Sequence, residues 1–254
     1  MKLRRYLQIV SFKTYADLRA ERSRTYLGFA WWFLEPLLLM GVFFVVFDLI
    51  MNRGGEGFVP FLLVGLVMWQ WFRASVSHSS NSILQARGLV RDVALPFVIF
   101  PLVTVCSDSI KFGMVLAVLL VILWTLGYLP GVHYMALPVV LVTELLLITG
   151  VSFLLAALVP FVPDLRFIVD PLLQAVFFLS GVFYSIDKLA PEARGLILLN
   201  PMAGVIEAAR DVLMDGAWPN LGYMAIVMLA GAAFTAGGVA AIRRLSHHYP
   251  KLPN

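Results

Sequence analysis

Runs of about twenty consecutive apolar residues, separated by short polar segments, dominate this chain and leave few folds open to it. A helix of that length crosses the ~30 Å hydrocarbon core of a bilayer while satisfying its own backbone hydrogen bonds. A soluble domain is excluded by the balance of residues: 61% of the 254 are hydrophobic and 13% charged, which leaves too little polar surface to face water. An outer-membrane barrel would show short segments of alternating polarity instead. The expected fold is an all-α integral membrane protein with about six transmembrane helices.

Residues 1–28 are polar and basic, without the apolar core of a cleavable signal peptide, so insertion through the first span is expected. On a helical wheel Leu3, Tyr6, Leu7, Val10 and Leu18 share an arc of roughly 120°. This predicts an amphipathic interface helix with Arg19, Arg22 and Arg24 towards lipid phosphates or a partner; a simple positive-inside anchor accounts for the same charges. Spans are predicted near Phe29–Met51, from Phe58, within Phe97–Leu126, near Ala136–Val159, over Phe167–Tyr184 and over Leu221–Ile242. The second span continues into Arg73–Ser82, which is too polar for lipid and should face protein, water or a pore. A polar loop, 84–96, follows it and ends at Pro96. Segment 185–220 is too long for a simple loop and too apolar to be freely solvated. Pro191 and Asn200-Pro201 should break it into two short helices that dip into the membrane and return. The transmembrane body is thus 29–254, with neither an internal repeat nor a second soluble domain.

Charge sets the orientation. Lys2, Arg4, Arg5, Lys13, Arg19, Arg22, Arg24, Arg87, Arg91, Arg166, Arg243, Arg244 and Lys251 fall on one side of a six-span arrangement, against Arg53, Lys188, Arg194 and Arg210 on the other. Basic loops stay in the cytoplasm, so both termini are expected there. The same placement explains the net charge of +4 without nucleic acid.

No GxxxxGK[ST] loop, HExxH or paired-cysteine motif occurs, so neither an ATP site nor a metal site is expected in this chain. Cys106 is the only cysteine, which rules out an intrachain disulfide. Glu35, Asp48, Arg73, Asp108, Lys111 and Glu144 are ionisable groups within or near spans. Asp108 and Lys111, three apart, can pair on one helix face. Glu144 has no local partner, and with His78 it supports a proton-coupled secondary transporter as a rival reading. A membrane-embedded glycosyl- or phosphotransferase would need clustered acids to hold a metal, whereas the acids here are scattered. Trp31, Trp32, Trp69, Trp71 and Phe72 lie at span ends, and Phe177, Phe178, Phe183 and Tyr184 cluster around the fifth span. The tryptophans read first as an interfacial belt. A pore wall is the other reading, since aromatic faces stack on the C–H faces of sugars without fixed hydrogen bonds.

The order of segments resembles a known family. Asp17-Leu18-Arg19 and Tyr26-Leu27-Gly28-Phe29-Ala30-Trp31-Trp32-Phe33-Leu34-Glu35-Pro36 resemble the entry to the first span of ABC transporter permeases that export polysaccharides. Phe61-Leu62-Leu63-Val64-Gly65-Leu66, Trp69, Phe72 and Asn81-Ser82-Ile83-Leu84 look like their second span and following loop. Asp164-Leu165-Arg166, Phe177-Phe178-Leu179-Ser180-Gly181-Val182-Phe183-Tyr184, Leu199-Asn200-Pro201 and Glu207-Ala208-Ala209-Arg210-Asp211 are similar to the fifth span and its re-entrant region. The matches run through nearly the whole chain. They point to the O-antigen, capsule and teichoic-acid permeases without separating those substrates, and Leu34-Glu35-Pro36 looks more like the Gram-negative members.

The resemblance implies a homodimer in the bacterial inner membrane, with two copies of a separate ATPase that binds the ATP and magnesium. It implies a coupling helix at Ala86–Ala94, with Arg87, Arg91 and Asp92, joined by Asp164 and Arg166, available to that ATPase. A positive-inside loop is the plainer account of the same segment. The implied substrate is a long glycan on a polyprenyl pyrophosphate, which Arg19, Arg22 and Arg24 suit by phosphate geometry. Trp69, Phe72, Phe177, Phe178, Phe183 and Tyr184 are the candidate channel aromatics. Gly195, Asn200, Pro201, Glu207, Arg210 and Asp211 are the candidate external gate.

Overall fold

The structure is a computed structural model, and it describes residues 2–24, 57–86 and 96–249 together with scattered positions between 30 and 46. The predicted first span near Phe29–Met51, with Glu35 and Asp48, and the predicted coupling helix with Arg87, Arg91 and Asp92 lie wholly or largely outside the described residues.

All regular structure among the described residues is helical. Helix α1, Lys2–Arg24, is followed by α2, Phe58–Ser80; α3, Ile99–Thr125; and α4, Leu137–Leu158. Then come α5, Leu165–Phe178; two short helices, α6 over Pro191–Ile197 and α7 over Pro201–Arg210; and α8, Leu221–Leu245. Four of these segments are long and apolar enough to cross a membrane: Phe58–Ser80, Ile99–Thr125, Val132–Leu158 and Leu221–Leu245. They start and stop where local chemistry dictates. Gly57, at φ 87°, turns the chain into α2. Asn220 caps α8 by accepting a hydrogen bond from the Tyr223 amide.

Helix α2 is the axis of the molecule. Leu62, Val64, Leu66, Met68 and Val76 are fully enclosed, and α3, α4, α5 and α7 pack around them. Helices α4 and α8 form the most extensive helix pair. They meet backbone to backbone: a Cβ on Gly231 would lie 2.8 Å from the Leu146 carbonyl carbon, and one on Gly238 would lie 2.6 Å from the Phe153 Cβ. Small residues permit this approach where lipid supplies no hydrophobic drive between helices. The other face of α8 leaves Ile226 and Leu229 exposed.

Helix α1 packs against α3 through Val10, Ile99 and Val103, and Thr14 is buried beside them. The arc predicted from the wheel is therefore divided. Val10 sits on protein, while Tyr6 and Leu7 remain exposed.

The fifth predicted span is shorter than expected. Helix α5 has 14 residues, about 21 Å at 1.5 Å per residue and so less than the hydrocarbon thickness. It stops at Phe178 because the chain reverses at Gly181, whose φ is 67°. The run Phe177-Phe178-Leu179-Ser180-Gly181-Val182-Phe183-Tyr184 stays apolar through this reversal, so hydropathy carries no sign of it.

Candidate functional site

Most of the candidate site residues that the structure describes gather around the end of α5 and the two short helices. Helix α7 begins at Pro201, where the Asn200 side chain accepts from the Met202 amide at 3.1 Å. The same side chain donates to the Leu179 carbonyl at 3.2 Å and to the Ser180 hydroxyl at 2.8 Å. At the far end of α7, Arg210 is 2% exposed. Its guanidinium donates to the carbonyls of Gly181 at 2.8 Å, Val182 at 2.9 Å and Phe61 at 3.2 Å. It also lies 3.4 Å from the centre of the Phe61 ring and 3.5 Å from Glu207. Burial lowers the Arg210 pKa to about 10, and Glu207 opposes that shift. Burial raises Glu207 in turn, against Arg210. Charge distribution grouped Arg210 with the outward basic residues. The structure makes it a core residue, and its partner Phe61 is too distant in sequence for any local pattern to reveal.

The six candidate aromatics are neighbours. Trp69 lies 5.4 Å from Phe177 and 5.5 Å from Phe72 between ring centres. Phe177 meets Phe183 edge-on at 4.8 Å, and Phe178 lies 5.7 Å from Phe183. Tyr184 donates to the Phe178 carbonyl at 3.2 Å. The interfacial-belt reading does not hold for Trp69 or Trp71, which are 3% and 6% exposed. Trp71 instead stacks on Phe112 at 4.0 Å and donates to the Ser109 hydroxyl. Edges and faces of this kind suit a protein interior.

In the polar half of α2, expected to face protein, water or a pore, Ser75, Ser79 and Ser80 are buried in protein while His78 is exposed. His78 Nδ1 lies 2.9 Å from Asp108 Oδ2, and the other oxygen of Asp108 meets Lys111 at 3.2 Å. Lys111 continues to Glu21 of α1 at 2.5 Å. The Asp108–Lys111 pair was legible from its spacing, but His78 and Glu21 were not, because they come from other helices. Ser77 donates to Asp170 of α5 at 2.7 Å. Glu144 in α4 is fully buried, and neither of its carboxylate oxygens has a hydrogen-bond partner among the described residues.

The remaining candidates are dispersed. Asp164 is exposed at the residue that precedes α5 and Arg166 is exposed in the first turn of that helix, with the Arg166 guanidinium 4.5 Å from the Phe167 ring centre. Arg19 is exposed on α1, and Arg22 and Arg24 lie in that helix's last turn. Gly195 is exposed on α6, with nothing within 4 Å of its Cβ position.

Comparison with known proteins agrees with this picture. The chain is 25% identical over 240 residues to the O-antigen export system permease protein RfbA of Klebsiella pneumoniae, covering 94% of this chain and 92% of that one. It is 32% identical over 206 residues to the RfbA permease of Myxococcus xanthus, covering 80% and 79%. It is 22% identical over 203 residues to the polysialic acid transport protein KpsM of Escherichia coli, covering 79% of each. Residues 14–214, which include α2 and the whole Arg210 cluster, match the family model for ABC-2 type transporters. This multi-pass membrane protein belongs to the ABC-2 type transporter permease family.

Proposed function

We propose that this chain is the membrane subunit of an ATP-driven exporter that moves a polysaccharide across the bacterial inner membrane. The likeness to O-antigen export permeases along nearly the full chain carries this reading. In it, two copies form the path, each with six spans and both termini in the cytoplasm, and each rests on a separate ABC ATPase that holds ATP and magnesium. One subunit is too thin a wall for a polymer, whereas a symmetric pair encloses a path between its halves. Arg87, Arg91 and Asp92, with Asp164 and Arg166, contact the ATPase. Arg19, Arg22 and Arg24 meet the pyrophosphate of a polyprenyl-linked glycan. The exposed edge of the aromatic cluster, Phe178 with the half-buried Phe183 and Tyr184, lies along the path, backed by the buried Trp69, Phe72 and Phe177, and Ser185–Asn220 closes it on the outer side.

Glu144 favours one rival, because a buried carboxyl without a hydrogen-bond partner among the described residues is what a proton-coupled carrier would use. A single experiment separates the two. In a strain that relies on this chain for its surface polysaccharide, the partner ATPase is replaced by a hydrolysis-deficient form while the proton gradient is left intact. Loss of surface polysaccharide, with lipid-linked glycan accumulating inside, is expected. Export that persists without ATP hydrolysis and stops when the proton gradient is collapsed would establish the carrier instead.

A further inference from the structure

We infer that the outer segment consists of two mechanically distinct parts, a fixed wall pinned by Arg210 and a movable arm between Ile186 and Asn200. This rests on the reading of Ser185–Asn220 as the outer closure, and it assigns the motion to one piece of that closure.

The wall comprises α7 and the turn Leu179–Val182, held together at both ends. Asn200 ties the start of α7 to Leu179 and Ser180. Arg210 ties its end to Gly181, Val182 and the Phe61 carbonyl of α2. A guanidinium presents five donors in a rigid planar fork, so one side chain can hold carbonyls from two separate segments at once. The site is cut to fit it. A Cβ on Gly65 of α2 would lie 2.5 Å from Arg210 Nη2 and 3.3 Å from the Val182 oxygen. Glycine at that position leaves the notch through which the guanidinium reaches the turn. Between the two staples, Met202–Ile206 and Ala208–Ala209 are all buried. Moving α7 away from α2 would strand a buried charge and several buried carbonyls together, a heavily penalised change.

Among the described residues the arm has no comparable attachment. Helix α6 has no buried residue, and Leu196 and Leu199 are 70% and 78% exposed. Its ion pair, Arg194 with Asp187 at 2.7 Å, links the arm to itself, and both side chains are at least half exposed. Pairs of that kind contribute little. The ends of the arm are firm. Ile186 is 1% exposed, with its side chain against Gly181, and Asn200 is the staple already described. Near the second end Tyr223 of α8 donates to the Leu198 carbonyl at 3.0 Å. Firm ends and an unburied middle are the physical features of a segment that opens locally while its surroundings stay closed.

Hydrogen exchange on the complex of this chain with its ATPase, in lipid nanodiscs with and without ATP, tests the division. The expected result is faster exchange in Asp187–Leu198 with ATP, and slow, unchanged exchange in Leu179–Val182 and α7. Arg210→Lys keeps the charge but not the fork, and Gly65→Ala fills the notch. Each should raise exchange in α7 and the turn about tenfold. The comparison of wild-type states needs no variant, so it stands even where a substitution prevents assembly. Exchange in α7 rising together with the arm on addition of ATP would overturn the fixed wall while leaving the closure reading intact. An arm that ignores ATP, with α7 still loosened by Arg210→Lys, would overturn the inference through its premise.

Discussion

At the scale of single residues, segment 185–220 combines one buried cation with several acids that repel one another. Asp211 follows Arg210 directly. Burial, and then the charges of Asp215 and Asp187, push its carboxyl up from 3.8 to about 6. An acid whose folded value is raised is destabilised in its charged form. Its favourable contribution is complete below the unfolded value and is lost as pH rises through about 6. The end of α7 should therefore exchange its amides more slowly, relative to intrinsic rates, at pH 5 than at pH 7. Asp211→Asn should remove most of that difference and stabilise the segment at pH 7. Glu207, raised by burial against Arg210, and Asp215, also raised by burial, titrate in both proteins, so the informative quantity is the difference between wild type and variant. Identical pH profiles for the two would dispose of the claim. Little of this was visible in the sequence. Spacing puts Glu207 and Asp211 on one helix face with Arg210 nearby, but the main partners of Arg210 are main-chain oxygens in two remote segments. Sequence patterns record side chains, and carbonyls brought in by tertiary folding leave no mark in them.

At the scale of helices, the close contact of α4 with α8 predicts the sharpest sensitivity to side-chain size. Gly231→Val would drive a side chain into the main chain of Leu146 and Leu147, where a Cβ alone already comes within 2.8 Å. Overpacking of this sort costs roughly 1–3 kcal/mol. Gly237, six positions before Arg243, has nothing within 4 Å of its Cβ position. Gly237→Ala should be neutral or stabilising by up to about 1 kcal/mol through helix propensity. Thermal unfolding of the purified protein in detergent compares the two directly, and a Gly231→Val variant that melts with wild type would refute the packing argument. The long helices themselves were legible. Phe97–Leu126 was expected and Ile99–Thr125 is helical; Ala136–Val159 was expected and Leu137–Leu158 is helical. Twenty or more apolar residues between polar ends leave one regular solution in lipid. Helix α5 was overextended for the same reason, because a reversal made by Gly181 within apolar residues preserves the hydropathy that defines a span. The breaks at Pro191 and Pro201 were legible because proline acts on its own backbone, and the short helices start at those residues.

At the scale of the whole molecule, the burial pattern bears on how two copies would work together. The arm of α6 exposes Leu196 and Leu199 on a chain whose neighbouring α7 is almost wholly enclosed. In the proposed homodimer the two arms close the outer end of the path against each other or against the polymer, so holding them together should block transport without disabling the motor. Gly195 is suited to the test. It is exposed, it has open space where a Cβ would sit, and it lies on α6 rather than in the Arg210 wall. Cys106 is the sole native cysteine and is free, so Cys106→Ser followed by Gly195→Cys gives one reactive thiol per subunit. Linking those thiols across the symmetry axis should abolish appearance of polysaccharide at the surface, while ATP hydrolysis by the complex falls only in part, and reduction of the link should restore export. The uncrosslinked variant should export like the Cys106→Ser parent, since the substitution touches neither the Arg210 cluster nor the aromatic cluster. A reagent of graded length adds a further measurement. If a short linker blocks and one long enough to span an open path does not, the arms separate by a distance between the two. Full export through a quantitatively linked dimer would show that the polymer leaves by a route these arms do not close.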